Sequence, residues 1–268
     1  MAMRIVLLVG VVLVSVPATV QASLRDWYKL DETSGGAAAN SGSRGTPATL
    51  YDSGGESPVP GDGTSSGPLW TNDPTRGRVL SFDGDSDYAN AGTIPSLSIN
   101  DTFTWAFWEK EAAGNGNNDV TVGNRYMDTE VQGGSVWTKF TPTGFEYTGA
   151  TKITNNVTDD VWVHRAVVKN GSTLTLYVNG ISAGTSTAAA AHAELPFYLG
   201  GDRHAEQWAG LLDDVATWTD ALPASSIEGL ANGTYTPGTA PIPEPASLGL
   251  LAFGTMGLPI RRRPHCHL

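Results

Sequence analysis

The chain has 268 residues, with 16 basic and 27 acidic side chains and a net charge of −11. That balance excludes the usual electrostatics of nucleic-acid binding and of docking onto anionic membranes. A single cysteine, Cys266, rules out a disulfide within the chain, and 32 glycines with 16 prolines break it into short elements.

Arg4 precedes an almost continuous apolar run, Ile5 to Val16, closed by Pro17. Val20-Gln21-Ala22 then matches the positions a signal peptidase reads. Residues 1–22 are read as a signal peptide, cut between Ala22 and Ser23. Thr33 to Pro68 is Gly/Ser-rich and is expected to be mostly surface loop, except around Thr49-Leu50-Tyr51. Val79 to Phe82 and Tyr88 to Ala91 are short strands flanking an acidic turn. Thr102 to Glu109 alternates Phe103, Trp105 and Phe107 with Ala106 and Trp108, which puts aromatic rings on both faces. Val136 to Phe140 and Gly144 to Thr148 are further strands.

The clearest segment is Val161 to Thr187. Trp162, His164, Ala166 and Val168 share one strand face, and Asn170-Gly171 and Asn179-Gly180 are two-residue hairpin signals. Phe197 to Gly200 and Leu211 to Trp218 complete the strands, and Pro223 to Leu230 reads as a short helix. No stretch sustains a helical period, so the body is expected to be an all-β antiparallel sandwich or jelly roll.

Residues 232–242 are poor in apolar side chains and are read as a linker. Pro243-Glu244-Pro245 follows, then an apolar run to Ile260, then Arg261, Arg262 and Arg263. As a helix that run rises roughly 22 Å, short of a roughly 30 Å hydrocarbon core, so it is expected to sit in the membrane only transiently.

Asp83, Asp85 and Asp87 alternate as at the start of a calcium loop, but position 94 is Ile, which excludes an EF-hand. A looser Ca2+ site, using one or two carboxylates with backbone carbonyls, stays open at Asp83 and Asp85 or, separately, at Asp214 beside Asp213, the alternative being that Asp213 and Asp214 satisfy backbone groups or turn outward. Asp213 and Asp214 are adjacent on a strand, so one of them should point inward. His164 reads as a core histidine. The chain has no Glu-x-Asp-x-Glu or Glu-x-Asp-x-x-Glu strand to flank a glycosidic bond, and the nearest pair is Asp128 and Glu130. No catalytic residue is therefore predicted. Carbohydrate binding needs only exposed aromatic platforms, and Trp70, Trp137 and Trp208, set in polar or Gly-rich contexts, are the candidates.

Two resemblances rest on these residues. Pro243-Glu244-Pro245-Ala246-Ser247-Leu248 with the arginine cluster resembles the PEP-CTERM sorting signal of Gram-negative bacteria, over 243–268. The resemblance implies recognition by an exosortase and display or release at the cell surface. Pro259, and the residues after Arg263, depart from that pattern. Trp27 to Gly35, Leu80 to Tyr88, Trp162 to Val168 with Leu176 to Gly180, Tyr198 to Asp202 and Gly210 to Ala216 resemble laminin-G-like, concanavalin A-like jelly-roll domains, over 23–231. That resemblance implies an extracellular module that binds glycan without chemistry. A structural or adhesive protein that binds protein partners, and a polysaccharide hydrolase or lyase, are the alternatives.

Overall fold

The computed structural model describes residues 23–53, 59–93, 102–116, 119–124, 138–147, 149–188, 195–201 and 206–242. The expected signal peptide, the expected sorting motif Pro243-Glu244-Pro245 with Arg261 to Arg263, the expected apolar helix and Trp137 lie outside them. No helix among the described residues is long and apolar enough to cross a membrane.

In chain order the described strands are β1 (Leu24–Tyr28), β2 (Ala37–Ala38), β3 (Ala48–Ser53), β4 (Val59–Pro60), β5 (Leu69–Asp73), β6 (Gly77–Asp83), β7 (Tyr88–Thr93), β8 (Thr102–Glu111) and β9 (Val122–Asn124). They continue as β10 (Thr138–Thr141), β11 (Gly144–Tyr147), β12 (Ile153–Thr154), β13 (Val163–Asn170), β14 (Thr173–Val178), β15 (Ile181–Thr187), β16 (Pro196–Leu199) and β17 (Ala209–Trp218). The helix α1 spans Ala224–Ala231. One sheet has the order β15-β14-β13-β8-β17-β6-β5, with β1 on β17; the other runs β12-β11-β10-β9-β16-β7-β3-β2, with β4 on β3. Both are antiparallel and pack as a jelly-roll sandwich. The loop expected over 33–68 therefore contributes β3, whose Ala48 and Leu50 are fully buried.

Alternation decides what each face meets. Phe103, Trp105 and Phe107 of β8 join Val167, Leu176, Phe140, Phe145 and Phe197 between the sheets. Trp105 is the hub, with Phe197 5.1 Å and Phe103 5.5 Å away, ring centre to ring centre. Ala106, Ala166, Val168, Ala216 and Trp218 face outward, where Leu222, Ile227 and Leu230 of the helical segment cover them. β13 is thus buried on both faces, and Arg165, between Val163 and Val167, points into the sandwich rather than to water. Its Nη1 donates to Glu109 Oε1 (2.9 Å) and to the Thr141 carbonyl (2.8 Å).

The turns follow their residues. Asn179 and Gly180 both take positive φ (50° and 81°), as a tight hairpin turn of right-handed strands requires. The other hairpin pairs Asn170 with Thr173, so its loop is Gly171-Ser172, one residue later than the Asn-Gly signal suggested.

The 232–242 segment is not a free linker. Pro237 and Ala240 are buried, Tyr235 and Ile242 pack on the outer cluster, and Ser226 Oγ donates to the Pro241 carbonyl. Gly229 makes room for Tyr235: a Cβ there would lie 2.1 Å from its ring. The sparse apolar residues are all used, which composition alone did not reveal.

Candidate functional site

Among the described residues, neither Trp70 nor Trp208 forms an exposed platform. Trp70 is buried between the sheets and its indole donates to the Gly35 carbonyl at 2.8 Å. Trp208 is fully buried beside Phe82. Its ring lies over Gly210, where a Cβ would come within 2.5 Å. A glycine two residues on marks this close approach, a stronger signal than the polar loop around it.

Asp83 and Asp85 lie apart from Asp213 and Asp214. Asp83 sits in the β6–β7 turn, and its Oδ1 accepts the backbone N–H groups of Asp85 and Ser86. Asp213 and Asp214 are elsewhere, on β17, and both hold Arg76. Among the described residues no three His, Cys, Asp or Glu side chains converge to hold a metal.

What brings Asp213 and Asp214 together is a β-bulge. The pairing of β17 with β8 slips between Asp213 and Ala216, and Asp214 takes φ +50°. The extra residue breaks strict alternation, so that Asp213 is buried with its carboxylate held by Arg76 while Asp214 stays partly exposed beside it. Val215 then returns to the interior and Ala216 to the outer cluster.

A layered cluster of rings and charges grows from this bulge on the outer face. Arg76, in the β5–β6 turn, donates from Nε to Asp213 Oδ2 (2.5 Å) and from Nη2 to Asp214 Oδ2 (3.1 Å). Its guanidinium lies 4.3 Å from the Trp108 ring centre and 5.5 Å from that of Trp162. The Trp27 indole donates to Asp214 Oδ1 at 2.8 Å, and that of Trp162 to Asp73 Oδ1 at 3.0 Å. His164 meets Trp108 edge to face at 5.2 Å.

Between this cluster and the 232–242 segment lies a cleft of about 170 Å³, walled by Arg76, Trp108, His164, Asp214, Tyr235 and Thr236 among others. His164 is 2% exposed, and its Nδ1 has no hydrogen-bond partner. Burial, reinforced by Arg76, lowers its pKa to about 3, so the imidazole is neutral at physiological pH. The cleft thus combines a neutral imidazole, a carboxylate, a guanidinium and aromatic walls. That mixture suits a ligand bearing both donors and acceptors.

A carboxylate pair was missed in the sequence: Glu109 and Glu111, two residues apart on β8 and therefore on one face. Both are buried, and Glu109 is paired with Arg165 inside the sandwich. Burial and the charge of Glu109 push Glu111 up to about 7. Burial and Asp83 push Asp87 up to about 7; burial and Asp214 do the same for Asp213, against the pull of Arg76.

These three groups bind protons more tightly in the folded chain than in the unfolded one. Their contribution to stability is full below about pH 4 and is lost as pH rises to about 7. The melting temperature should therefore fall between pH 5 and pH 7.5, and Asp87→Asn should flatten that slope. A midpoint that rises over this interval would contradict the burial of these carboxyls.

Residues 83–228 match a family model described as the concanavalin A-like lectin/glucanases superfamily. The chain belongs to that superfamily. No curated protein matches it in sequence. Among solved structures, the superfamily fold is shared with domain 4 of AbnA, a GH43 extracellular arabinanase from Geobacillus stearothermophilus in complex with arabinotriose. That match has 15% identity, a TM-score of 0.61, and covers 79% of this chain and 99% of that domain. The binding domain of Paraclostridial Mosquitocidal Protein 1 aligns at 14% identity and TM-score 0.54, over 80% of this chain and 52% of the other. Trypanosoma rangeli sialidase in complex with sialic acid aligns at 16% and 0.56, over 83% of this chain and 35% of the enzyme. The chain thus spans about half of the toxin domain and a third of the sialidase, and identities this low establish the fold alone.

Proposed function

We propose that the chain is an exported surface or matrix module that binds carbohydrate non-catalytically, through the cleft beneath residues 233–237. The observation carrying this reading is that cleft: a strained Asp214, a neutral His164, and the rings of Trp108 and Tyr235 meet at one concave place. The lectin/glucanase superfamily, and the arabinotriose complex of one structural neighbour, support a glycan as the ligand. The inward direction of Glu109 and Glu111 supports binding over hydrolysis, because a glycosidase needs its two carboxyls facing the sugar. Export rests on the sequence of residues 1–22, and surface sorting on Pro243-Glu244-Pro245 and the arginines that follow.

A glycan array probed with residues 23–242 tests this reading. Trp108→Ala and His164→Ala should each weaken the strongest signal by about tenfold or more, roughly 1.4 kcal/mol. Binding that survives both substitutions, in proteins that still melt cooperatively, would place the ligand elsewhere.

A further inference from the structure

We propose that this cleft selects uncharged saccharides and rejects glycans carrying uronate or sulfate groups. The inference rests on the glycan-binding reading above. Arg76 is the only Lys or Arg among the described residues that wall the cleft. An arginine fork is the usual grip for a carboxylate or sulfate, but here most of it is already engaged. Two of its nitrogens hold Asp213 and Asp214, and its flat face lies on Trp108.

Nearby lysines are engaged as well. Lys110 Nζ lies 3.2 Å from Asp73 Oδ2, and Lys29 Nζ sits 4.5 Å from the ring centre of Trp27. The two aspartates that hold Arg76 offset its charge, within a chain whose net charge is −11. An anionic sugar meets repulsion at long range and, on arrival, a guanidinium already paired to two carboxylates. A neutral sugar hydroxyl finds an acceptor in Asp214, beside the His164 ring whose neutrality does not change near pH 7.

The test compares neutral pentose and hexose oligomers with oligogalacturonates and sulfated disaccharides, by calorimetric titration at low and high salt. Neutral oligomers should bind with little salt dependence. Their anionic counterparts should bind at least about tenfold more weakly at low salt, and the gap should shrink as salt screens the repulsion. Asp213→Asn releases part of the Arg76 fork and should narrow the gap about tenfold. Should that variant fail to fold, the salt series on the unaltered protein decides alone. Tighter binding of a uronate than of its neutral counterpart, lost in Trp108→Ala, would overturn the selectivity and leave the cleft as the site. No binding by glycans of either class, or binding that Trp108→Ala and His164→Ala both leave intact, would overturn the cleft reading itself.

Discussion

Glu109→Ala should destabilise the protein by about 3–5 kcal/mol, read from urea denaturation. Arg165 is fully buried and Glu109 is 1% exposed, so neither charge has water to fall back on. The guanidinium keeps two bonds from Nη1 and a contact with the Phe140 ring at 5.0 Å, while its Nε and Nη2 have no partner. Removing the carboxylate strands a cation between the sheets. Relief of the repulsion that Glu109 exerts on Glu111 offsets only part of that cost. The paired replacement of Arg165 by Met and Glu109 by Leu should recover stability to within about 1–2 kcal/mol, because it removes both desolvation penalties at similar volume. A loss below about 1 kcal/mol for Glu109→Ala alone would mean that the pair is hydrated.

That ion pair also marks what a linear reading can and cannot see. The β13–β14–β15 meander was legible because Asn179-Gly180 and the alternation of Leu174 and Leu176 are local signals. The direction of the core was harder. Trp162, His164, Ala166 and Val168 share a face as expected, but that face lies under Leu222, Ile227 and Leu230, while Arg165 takes the intersheet side. A strand buried on both faces has no polar side to orient it. The bulge at Asp214 was invisible for a different reason. One extra residue re-aims two carboxylates, and the adjacent Asp-Asp pattern is the same with or without it. Arg76 lies 137 residues from Asp213, so the cluster that defines the cleft is assembled by topology and left no local trace. Trp70 and Trp208 failed as exposed platforms because exposure was inferred from neighbouring loop residues, whereas Gly210 had already provided space for Trp208 to be covered.

The domain boundary offers the second large effect. A chain ending at Ala231, the limit suggested by the sequence, should be less stable than one ending at Ile242 by on the order of 3 kcal/mol, and should give no glycan signal. The stability loss follows from burial: Pro237 and Ala240 are buried, and Tyr235 and Ile242 pack against the outer cluster. Fully burying one large apolar side chain contributes about 1.5–3 kcal/mol, and these residues together amount to at least one or two such groups. Truncation also exposes Gly229 and Leu230 and removes the Pro241 carbonyl that satisfies Ser226 Oγ, a fully buried residue. The functional loss follows from geometry, because Gly233, Tyr235, Thr236 and Pro237 form one side of the cleft. The two losses are separable. Tyr235→Ala in the chain ending at Ile242 keeps most of the segment and should cost binding more than stability. Equal glycan binding by the chains ending at Ala231 and Ile242 would show that the wall contributes nothing to the site, and would move the search to the face of the other sheet.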